Sequence, residues 1–170
     1  FAIQNLADDF GIAVVEDVAE ALGGYALGKK LGTIGNMGCF SFFANKNVST
    51  GEGGMVVTDD PRLASRLRRL RSMMFDADHS FRHPSVGYNF RMTALQAAVG
   101  LAQVERVKDF LMKRRQIQGW YDEALKLSLP RPEGSVLWMY DILCESGAER
   151  ESLIANLSAD GIETRRFFQP

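Results

Sequence analysis

Apolar and polar positions alternate along the first part of the chain in the order typical of an α/β fold. Residues 12–15 form a continuous apolar run that closes on Glu16 and Asp17, which predicts a buried parallel strand with Asp17 at its carboxyl end. Residues 39–58 contain two apolar runs around a polar loop with glycines, which predicts two further strands joined by that loop. Open α/β sheets bind ligands at the carboxyl ends of their strands, so this edge is the expected place for chemistry.

The pattern then changes to helical periodicity. Asp60 followed by a proline is a helix-start signal and predicts a helix that runs to about Met73. From Thr93 onward, apolar side chains recur near the helical period, which predicts a long helical region to Lys126 with a bend near Asp109.

The last part of the chain has a different organisation. Its apolar runs predict a strand, a helix and a second strand, over residues 136–143, 149–159 and 162–167. A proline-containing linker precedes them. The change predicts that residues 1–130 belong to a large domain and that residues 131–170 begin a smaller α+β domain.

Composition excludes several classes of function. The net charge of −1 creates no field that would favour nucleic acid or an anionic membrane. The arginines within residues 66–71 are interleaved with leucines at helical spacing, which indicates a solvated helix face. Cys39 and Cys144 lack paired spacing, which argues against a disulfide framework or zinc site and for a reducing, cytoplasmic location. No run is long enough to span a bilayer.

Two further segments, residues 74–91 and the start of the chain, allow only general expectations. Residues 74–91 predict a long irregular loop that carries both histidines, His79 and His83. These histidines lack metal-ligand spacing, so a surface or loop role is favoured over catalysis, although His83 could contact substrate. The chain opens on a helix tail without an initiator methionine, and we therefore expect a fragment of a longer protein.

The candidate chemistry centres on Lys46, which stands in the polar loop between the two apolar runs. Desolvation disfavours the ammonium form of a lysine, and a neutral amine can bond to a carbonyl carbon. Asp17 and Ser41 are predicted at two strand ends close to this loop. The three side chains could converge on one aromatic aldehyde cofactor, with the carboxylate at a ring nitrogen, the hydroxyl at a phosphate and the amine at the aldehyde.

Four motifs in this order resemble the DegT/StrS family of pyridoxal-phosphate-dependent nucleotide-sugar aminotransferases. They are Glu-Asp-Val-Ala-Glu-Ala-Leu-Gly at 16–23, Phe-Ser-Phe-Phe-x-Asn-Lys at 40–46, Thr-Gly-Glu-Gly-Gly at 50–54 and Gly-Tyr-Asn-Phe-Arg-Met at 87–92. The resemblance spans nearly the whole chain but only about the middle half of a family member. It implies a fragment of a fold-type-I transferase, with a mixed, mostly parallel sheet and flanking helices.

The resemblance also implies a role for each matching residue. Lys46 would bond to the cofactor aldehyde and move the proton during transamination, Asp17 would keep the pyridine nitrogen protonated, and Ser41 would bind the phosphate. Asn89 would reach across a dimer interface to the partner's phosphate, which implies an isologous homodimer with shared active sites. Arg91 lies in the same motif and is assigned to cofactor binding with it.

Glu20 departs from many family members, which carry Gln or His beside the cofactor ring. The form of this motif together with Phe-Phe-x-Asn-Lys resembles the GDP-perosamine synthase branch, which uses glutamate to aminate GDP-4-keto-6-deoxymannose at carbon 4. A carboxylate beside a phenolate must be protonated or compensated. The implied function is therefore transamination of a keto-sugar nucleotide with an amino-acid donor such as L-glutamate, for cell-surface polysaccharide or glycoconjugate synthesis.

Alternatives remain open from the residues themselves. Asp17 could cap the following helix, Ser41 could be an ordinary buried strand serine, Asn89 could hold a turn, and Lys46 could be a solvated loop cation. A non-catalytic binding or regulatory relative would keep the fold without the reaction. Related sugar 3-dehydratases have histidine at the lysine position, and Lys46 argues against that alternative.

Overall fold

The computed structural model describes residues 2–75, 81–126 and 131–168. Its helices and strands in chain order are α1 (Ala2–Phe10), β1 (Val15–Asp17), β2 (Tyr25–Ala26), β3 (Lys29–Lys30), β4 (Met37–Ser41), β5 (Gly54–Val57), α2 (Pro61–Leu70), α3 (Ala94–Val104), α4 (Val107–Leu125) and α5 (Gly147–Ala159). Strands β2 and β3 form a separate two-stranded antiparallel hairpin.

A mixed sheet in the order β1-β4-β5 carries two of the candidate residues, Asp17 on β1 and Ser41 on β4. Strand β1 pairs in parallel with β4, with Asp17 opposite Cys39, and β4 pairs antiparallel with β5, with Ser41 opposite Gly54. The two strands predicted within residues 39–58 are β4 and β5. The α/β class with a mixed sheet and flanking helices is therefore confirmed.

The prediction of a fully buried first strand is wrong in two respects. Strand β1 begins only at Val15, whose side chain is 55% exposed, and Ile12 is 62% exposed. Before the strand, Val14 bonds to Asn36, which precedes β4: the Val14 N–H donates to Asn36 Oδ1 at 2.7 Å, and the Val14 carbonyl accepts the Asn36 N–H at 2.9 Å. Residues 12–14 are therefore held by contacts to a loop and not by a continuous ladder of hydrogen bonds to a neighbouring strand.

One face of the sheet is covered by the loop that precedes β4. The Glu16 carboxylate accepts backbone N–H bonds from Gly32 at 2.7 Å, Ile34 at 2.6 Å and Gly35 at 2.7 Å. Partial burial would raise the pKa of Glu16, but the donors of Gly35, Gly32 and Ile34 together lower it below its ordinary value of 4.5. Glu16 therefore fastens this loop to β1 as a carboxylate.

Glycines allow the loop to lie directly on the strand. A Cβ at Gly38 would stand 2.3 Å from the carbonyl oxygen of Gly32, and a Cβ at Gly32 would stand 2.4 Å from the ring of Phe40. Gly32, Gly38 and Phe40 thus meet on the same side of the sheet as Glu16. Because side chains alternate along a strand, Asp17 projects from the opposite face.

Helix α2 begins where the sequence predicts and ends earlier. Asp60 is its N-cap and accepts the N–H groups of Arg62 at 2.7 Å and Leu63 at 3.4 Å. The backbone and side-chain hydrogen bonds from Arg62 lower the pKa of Asp60. The helix stops at Leu70 instead of Met73, because Met73 adopts a positive φ of 61° that no α-helix accommodates.

The long helical region predicted from Thr93 is present as two helices. Thr93 caps α3 in a capping box with Gln96. The chain then breaks at Arg106, whose φ of −107° and ψ of 10° leave the helical range, and α4 follows. The predicted bend near Asp109 exists, but it lies closer to the N-terminus.

Contacts divide the chain into two compact units, Phe1–Met139 and Tyr140–Pro170. The predicted domain boundary near residue 131 stays a prediction. The helix predicted over 149–159 is confirmed as α5, with Ser146 as its N-cap.

No helix among the described residues combines the length and apolar character that a membrane span requires.

Both strands predicted in the last part of the chain are wrong for the residues described. Over 136–143, the Leu137 carbonyl accepts from the Asn47 side chain and the Trp138 carbonyl accepts from the Arg114 side chain, where a strand would need neighbouring backbone. Over 162–167, the first residue closes the turn that follows α5, because the Ile162 N–H donates to the Leu157 carbonyl of that helix at 2.8 Å. Residues in both segments have a high β propensity, but among the described residues the backbone of neither segment pairs with a neighbouring strand.

We expect Glu16→Gln to lower the free energy of unfolding by roughly 1–3 kcal/mol, because the amide leaves backbone donors of the loop imperfectly paired. The folded-state pKa of Glu16 is depressed, so its stabilisation is present above the ordinary value of 4.5 and is lost as the pH falls through the folded-state pKa. Urea unfolding at several pH values measures both effects.

The matched control for this experiment is Glu105→Gln, at an exposed position that closes α3. A difference between Glu16→Gln and the wild type that stays constant from about pH 7 to about pH 3 would contradict the expected linkage.

Candidate active site

The loop between β4 and β5 carries Lys46 and is built on internal hydrogen bonds. Lys46 donates its N–H to the Phe43 carbonyl at 3.0 Å, and Thr50 donates its N–H to the Phe42 carbonyl at 2.9 Å. Phe42 and Val48 are 5% and 0% exposed, so the loop is fastened by buried apolar side chains on either side of the lysine. Lys46 is therefore not a freely solvated loop cation.

The Lys46 amine lies between a carboxylate and an aromatic ring. Its side chain is only 12% exposed, and Nζ is 3.2 Å from Glu20 Oε1. The same Nζ atom lies 3.9 Å from the centroid of the Trp138 ring. The structure thus brings together two of the residues predicted from sequence, Lys46 and Glu20, and adds Trp138 to them.

Asp17 and Ser41 share the sheet face opposite the Gly32 loop. Asp17 is in register with Cys39, and Ser41 lies two positions further along the same strand, so all three side chains project the same way. Asp17 Oδ1 accepts the Ala19 N–H at 3.0 Å, and Ser41 Oγ accepts the Phe43 N–H at 3.3 Å. Both residues therefore have a local turn-forming role, and each keeps further hydrogen-bonding capacity.

Asn89 and Arg91 lie on a different segment. Asn89 forms an isolated antiparallel bridge with Ser72, just beyond α2, and both Asn89 and Arg91 are exposed. The neighbouring rings of Tyr88 and Phe90 stack with centroids 5.0 Å apart. Within the part of the chain described, no hydrogen bond or ion pair joins Asn89 or Arg91 to the other candidates.

The two histidines do not join this site in the described residues. His83 is exposed, and its Nδ1–H donates to the Met73 carbonyl at 2.6 Å, which agrees with a loop role. His79 lies outside the described residues. In the ranges that the structure covers, no group of His, Cys, Asp and Glu side chains could hold a metal ion.

Helix α3 supports the lysine loop through a face that sequence reasoning missed. Gln103 accepts the Ser49 N–H at 3.0 Å and donates its amide to the Ser49 carbonyl, which satisfies both backbone groups of one residue. Gln96 donates to the Glu52 carbonyl at 3.1 Å. Gln96 and Gln103 stand at helical spacing, but a pair of glutamines on a helix carries no signal for a distant loop.

Gly100 lies between these two glutamines, and it is buried against the same loop. A Cβ at this position would approach Thr50 Cγ2 to 2.9 Å, so the helix backbone and the loop are in close contact here.

The segment 137–138 contacts three consecutive loop residues. The Trp138 indole N–H donates to the Asn45 carbonyl at 2.9 Å, the Trp138 ring faces the Lys46 amine, and the Asn47 amide donates to the Leu137 carbonyl at 3.4 Å. These contacts join positions far apart in sequence, so no local pattern could have indicated them.

A cavity of about 600 Å³ lies away from this site, beside α2. It is lined by aliphatic and polar parts of that helix, including Arg62, Arg66 and Arg69. None of its lining residues belongs to the predicted set. The predicted chemistry therefore lies at the lysine loop and not in this cavity.

The family model of the DegT/DnrJ/EryC1/StrS aminotransferase family matches residues 1–170. GDP-perosamine synthase of Caulobacter vibrioides is 41% identical over 178 residues, which cover 99% of this chain and 48% of the synthase. The chain spans about half the length of the curated relatives it matches.

Solved structures give the same picture. A DegT DnrJ EryC1 StrS aminotransferase from Brucella abortus has a TM-score of 0.83 and 32% identity, over 94% of this chain and 43% of that chain. The GDP-4-keto-6-deoxy-D-mannose-3-dehydratase of E. coli, solved with bound hydrated PLP, has a TM-score of 0.83 and 28% identity, over 96% and 48% of the two chains.

We expect Gln103→Ala to destabilise the lysine loop, because both backbone groups of Ser49 lose their partner at once. The free energy of unfolding should fall by roughly 1–3 kcal/mol. Amide hydrogen exchange measures the local effect, with faster exchange expected at Ser49 and its neighbours. Gln118→Ala, on α4, is the control, and equal exchange in the two variants would count against this role of Gln103.

Proposed function

Because the chain belongs to the DegT/DnrJ/EryC1/StrS aminotransferase family, we propose that it is part of an enzyme that transfers an amino group to a keto-sugar nucleotide. The family resemblance drawn from four sequence motifs is confirmed by these matches. The single observation that supports the activity is the Lys46 amine, which is 12% exposed and held beside Glu20 at the edge of the sheet.

The side chains present fit pyridoxal phosphate in their chemistry. A shielded primary amine suits the aldehyde carbon, a carboxylate suits a protonated pyridine nitrogen, and a hydroxyl suits a phosphate oxygen. Lys46, Asp17 and Ser41 supply these groups from one loop and two adjacent strand ends. When bound, the cofactor supplies an electron sink that stabilises negative charge on the reacting carbon.

Lys46, Glu20 and Asp17 would have different roles in proton transfer. Lys46 Nζ is the candidate acid and base, since it is the only titratable group of the predicted set with a mobile proton in a nearly enclosed position. The Glu20 carboxylate lies 3.2 Å from the amine and would hold it in position through this ion pair. Asp17, on the sheet face, would hold a proton at the ring nitrogen.

The substrate we favour is a GDP-linked 4-keto-6-deoxy sugar, with an amino acid such as L-glutamate as donor. The matched relative from Caulobacter vibrioides is a GDP-perosamine synthase, and Glu20 is part of the motif on which that likeness rests. The product would serve polysaccharide or glycoconjugate synthesis in the cytoplasm. Asn89 and Arg91, both exposed, would complete the cofactor site of a second copy in a homodimer.

A sugar 3-dehydratase is the second candidate, because the E. coli dehydratase shares the fold at 28% identity. Lys46 speaks against it, since a dehydratase of this kind has histidine at the position that bonds to the cofactor. A non-catalytic binding or regulatory role would leave the enclosed amine without a purpose.

We expect full-length protein carrying Lys46→Ala, freed of unbound pyridoxal phosphate by desalting, to show no visible absorbance band that borohydride can bleach. The variant removes the amine that bonds to the aldehyde, and half-reaction rates should fall on the order of a thousandfold or more. Lys113→Ala, which removes an exposed lysine on α4, should keep both the band and the rate. A bleachable band that survives in Lys46→Ala would refute the assignment.

We also expect the wild-type protein loaded with pyridoxamine phosphate to aminate GDP-4-keto-6-deoxymannose faster than UDP-linked keto sugars. Mass spectrometry of the products distinguishes an amino sugar from a 3-deoxy sugar. A 3-deoxy product would favour the dehydratase, and no turnover with any keto-sugar nucleotide would favour the non-catalytic alternative.

A further inference from the structure

Trp138 contacts the Lys46 amine and lies outside the four motifs of the sequence analysis. Its ring centroid lies 3.9 Å from Nζ, which is well within the range of a cation–π contact. Its indole N–H donates to the Asn45 carbonyl at 2.9 Å, one residue before the lysine. One side chain therefore contacts both the reactive amine and the backbone that carries it.

Trp138 is itself held in place. Arg114, on α4, donates from Nη1 to the Trp138 carbonyl at 3.2 Å, and Leu137 beside it is 6% exposed. A bond from the Asn47 amide to the Leu137 carbonyl adds a third link to the lysine loop. The indole is thus a fixed surface against which the flexible lysine side chain can be oriented.

The same chain contains a natural comparison. Lys113 Nζ lies 5.2 Å from the centroid of the Trp120 ring on the exposed surface of α4. The Trp120 side chain is 53% exposed, whereas the Lys46 side chain is 12% exposed. A cation–π contact strengthens as its partners lose water, so the pair at Lys46 should be the stronger of the two.

We propose that Trp138 is a positioning residue for Lys46, with the indole N–H fixing the loop and the ring face orienting the amine opposite Glu20. This role rests on the proposed function, since it matters only if Lys46 bonds to an aldehyde. Trp138 acts through Lys46 and takes no part in proton transfer itself. The two contacts make separable contributions, which two substitutions resolve.

The test follows how fast Lys46 captures added pyridoxal phosphate. Full-length protein is stripped of cofactor and incubated with pyridoxal phosphate. It is then reduced with borohydride at intervals and digested, and the modified lysines are quantified by mass spectrometry. Lys113 is the internal reference in every sample, because it also faces a tryptophan but lies outside the site.

Trp138→Leu removes both contacts, and modification of Lys46 should slow by roughly three- to thirtyfold while Lys113 is unaffected. Trp138→Phe keeps a ring face without the N–H, and its rate should fall between those of wild type and Trp138→Leu. Trp120→Leu is the control and should leave the Lys46 rate unchanged. In steady state, Trp138→Leu should lower kcat with little change in KM for the sugar nucleotide.

An Lys46 rate in Trp138→Leu equal to wild type would overturn the positioning role. If Trp138→Leu does not fold, as thermal melting would reveal, Trp138→Phe decides the matter, and an unchanged rate in it overturns the proposal as stated. Failure of the proposed function looks different, because wild-type protein would then show no preference for modification at Lys46 over Lys113.

Discussion

The chemistry proposed for this chain depends on how the charge of one lysine is compensated when its side chain leaves water. The Lys46 side chain is nearly enclosed, and a lone cation in such a position would be costly. The Glu20 carboxylate provides opposite charge and the Trp138 ring provides a polarisable face. Such a surrounding keeps the amine in one place and still leaves it within reach of a reaction partner.

The loop that carries this amine is supported from three directions, and two of the supports are remote in sequence. Strands β4 and β5 fix its ends, α3 grips Ser49 through Gln103, and Trp138 lies against the lysine itself. A reactive side chain on a loop needs this kind of support, because an orientation error of about 1 Å can lower a rate a hundredfold. The fold supplies rigidity where the local backbone alone would not.

Much of the fold was predictable where the signal is local. The cap at Asp60, the start of a helical region at Thr93 and the apolar runs of β4 and β5 each depend on signals within a few residues, and each was identified correctly. The strands predicted over 136–143 and 162–167 failed because a strand needs a partner, and propensity does not reveal whether one exists. Lys46 and Glu20 were found through motifs, whereas Trp138 and Gln103 were missed because their contacts are long-range.

Glu16 and Asp17 are consecutive acidic residues whose side chains lie on opposite faces of the sheet. The carboxylate of Glu16 binds the backbone of the Gly32 loop, and that of Asp17 projects from the other side of the sheet. Exchanging these two residues would leave the formal charge, the composition and the length of the chain unchanged. It would nevertheless place the longer side chain on the face of the proposed cofactor site and the shorter one toward the loop. A slip of β1 by a single residue would likewise exchange the faces of the two acids, so the pairing register of a three-residue strand determines which acid holds the loop and which faces the proposed site.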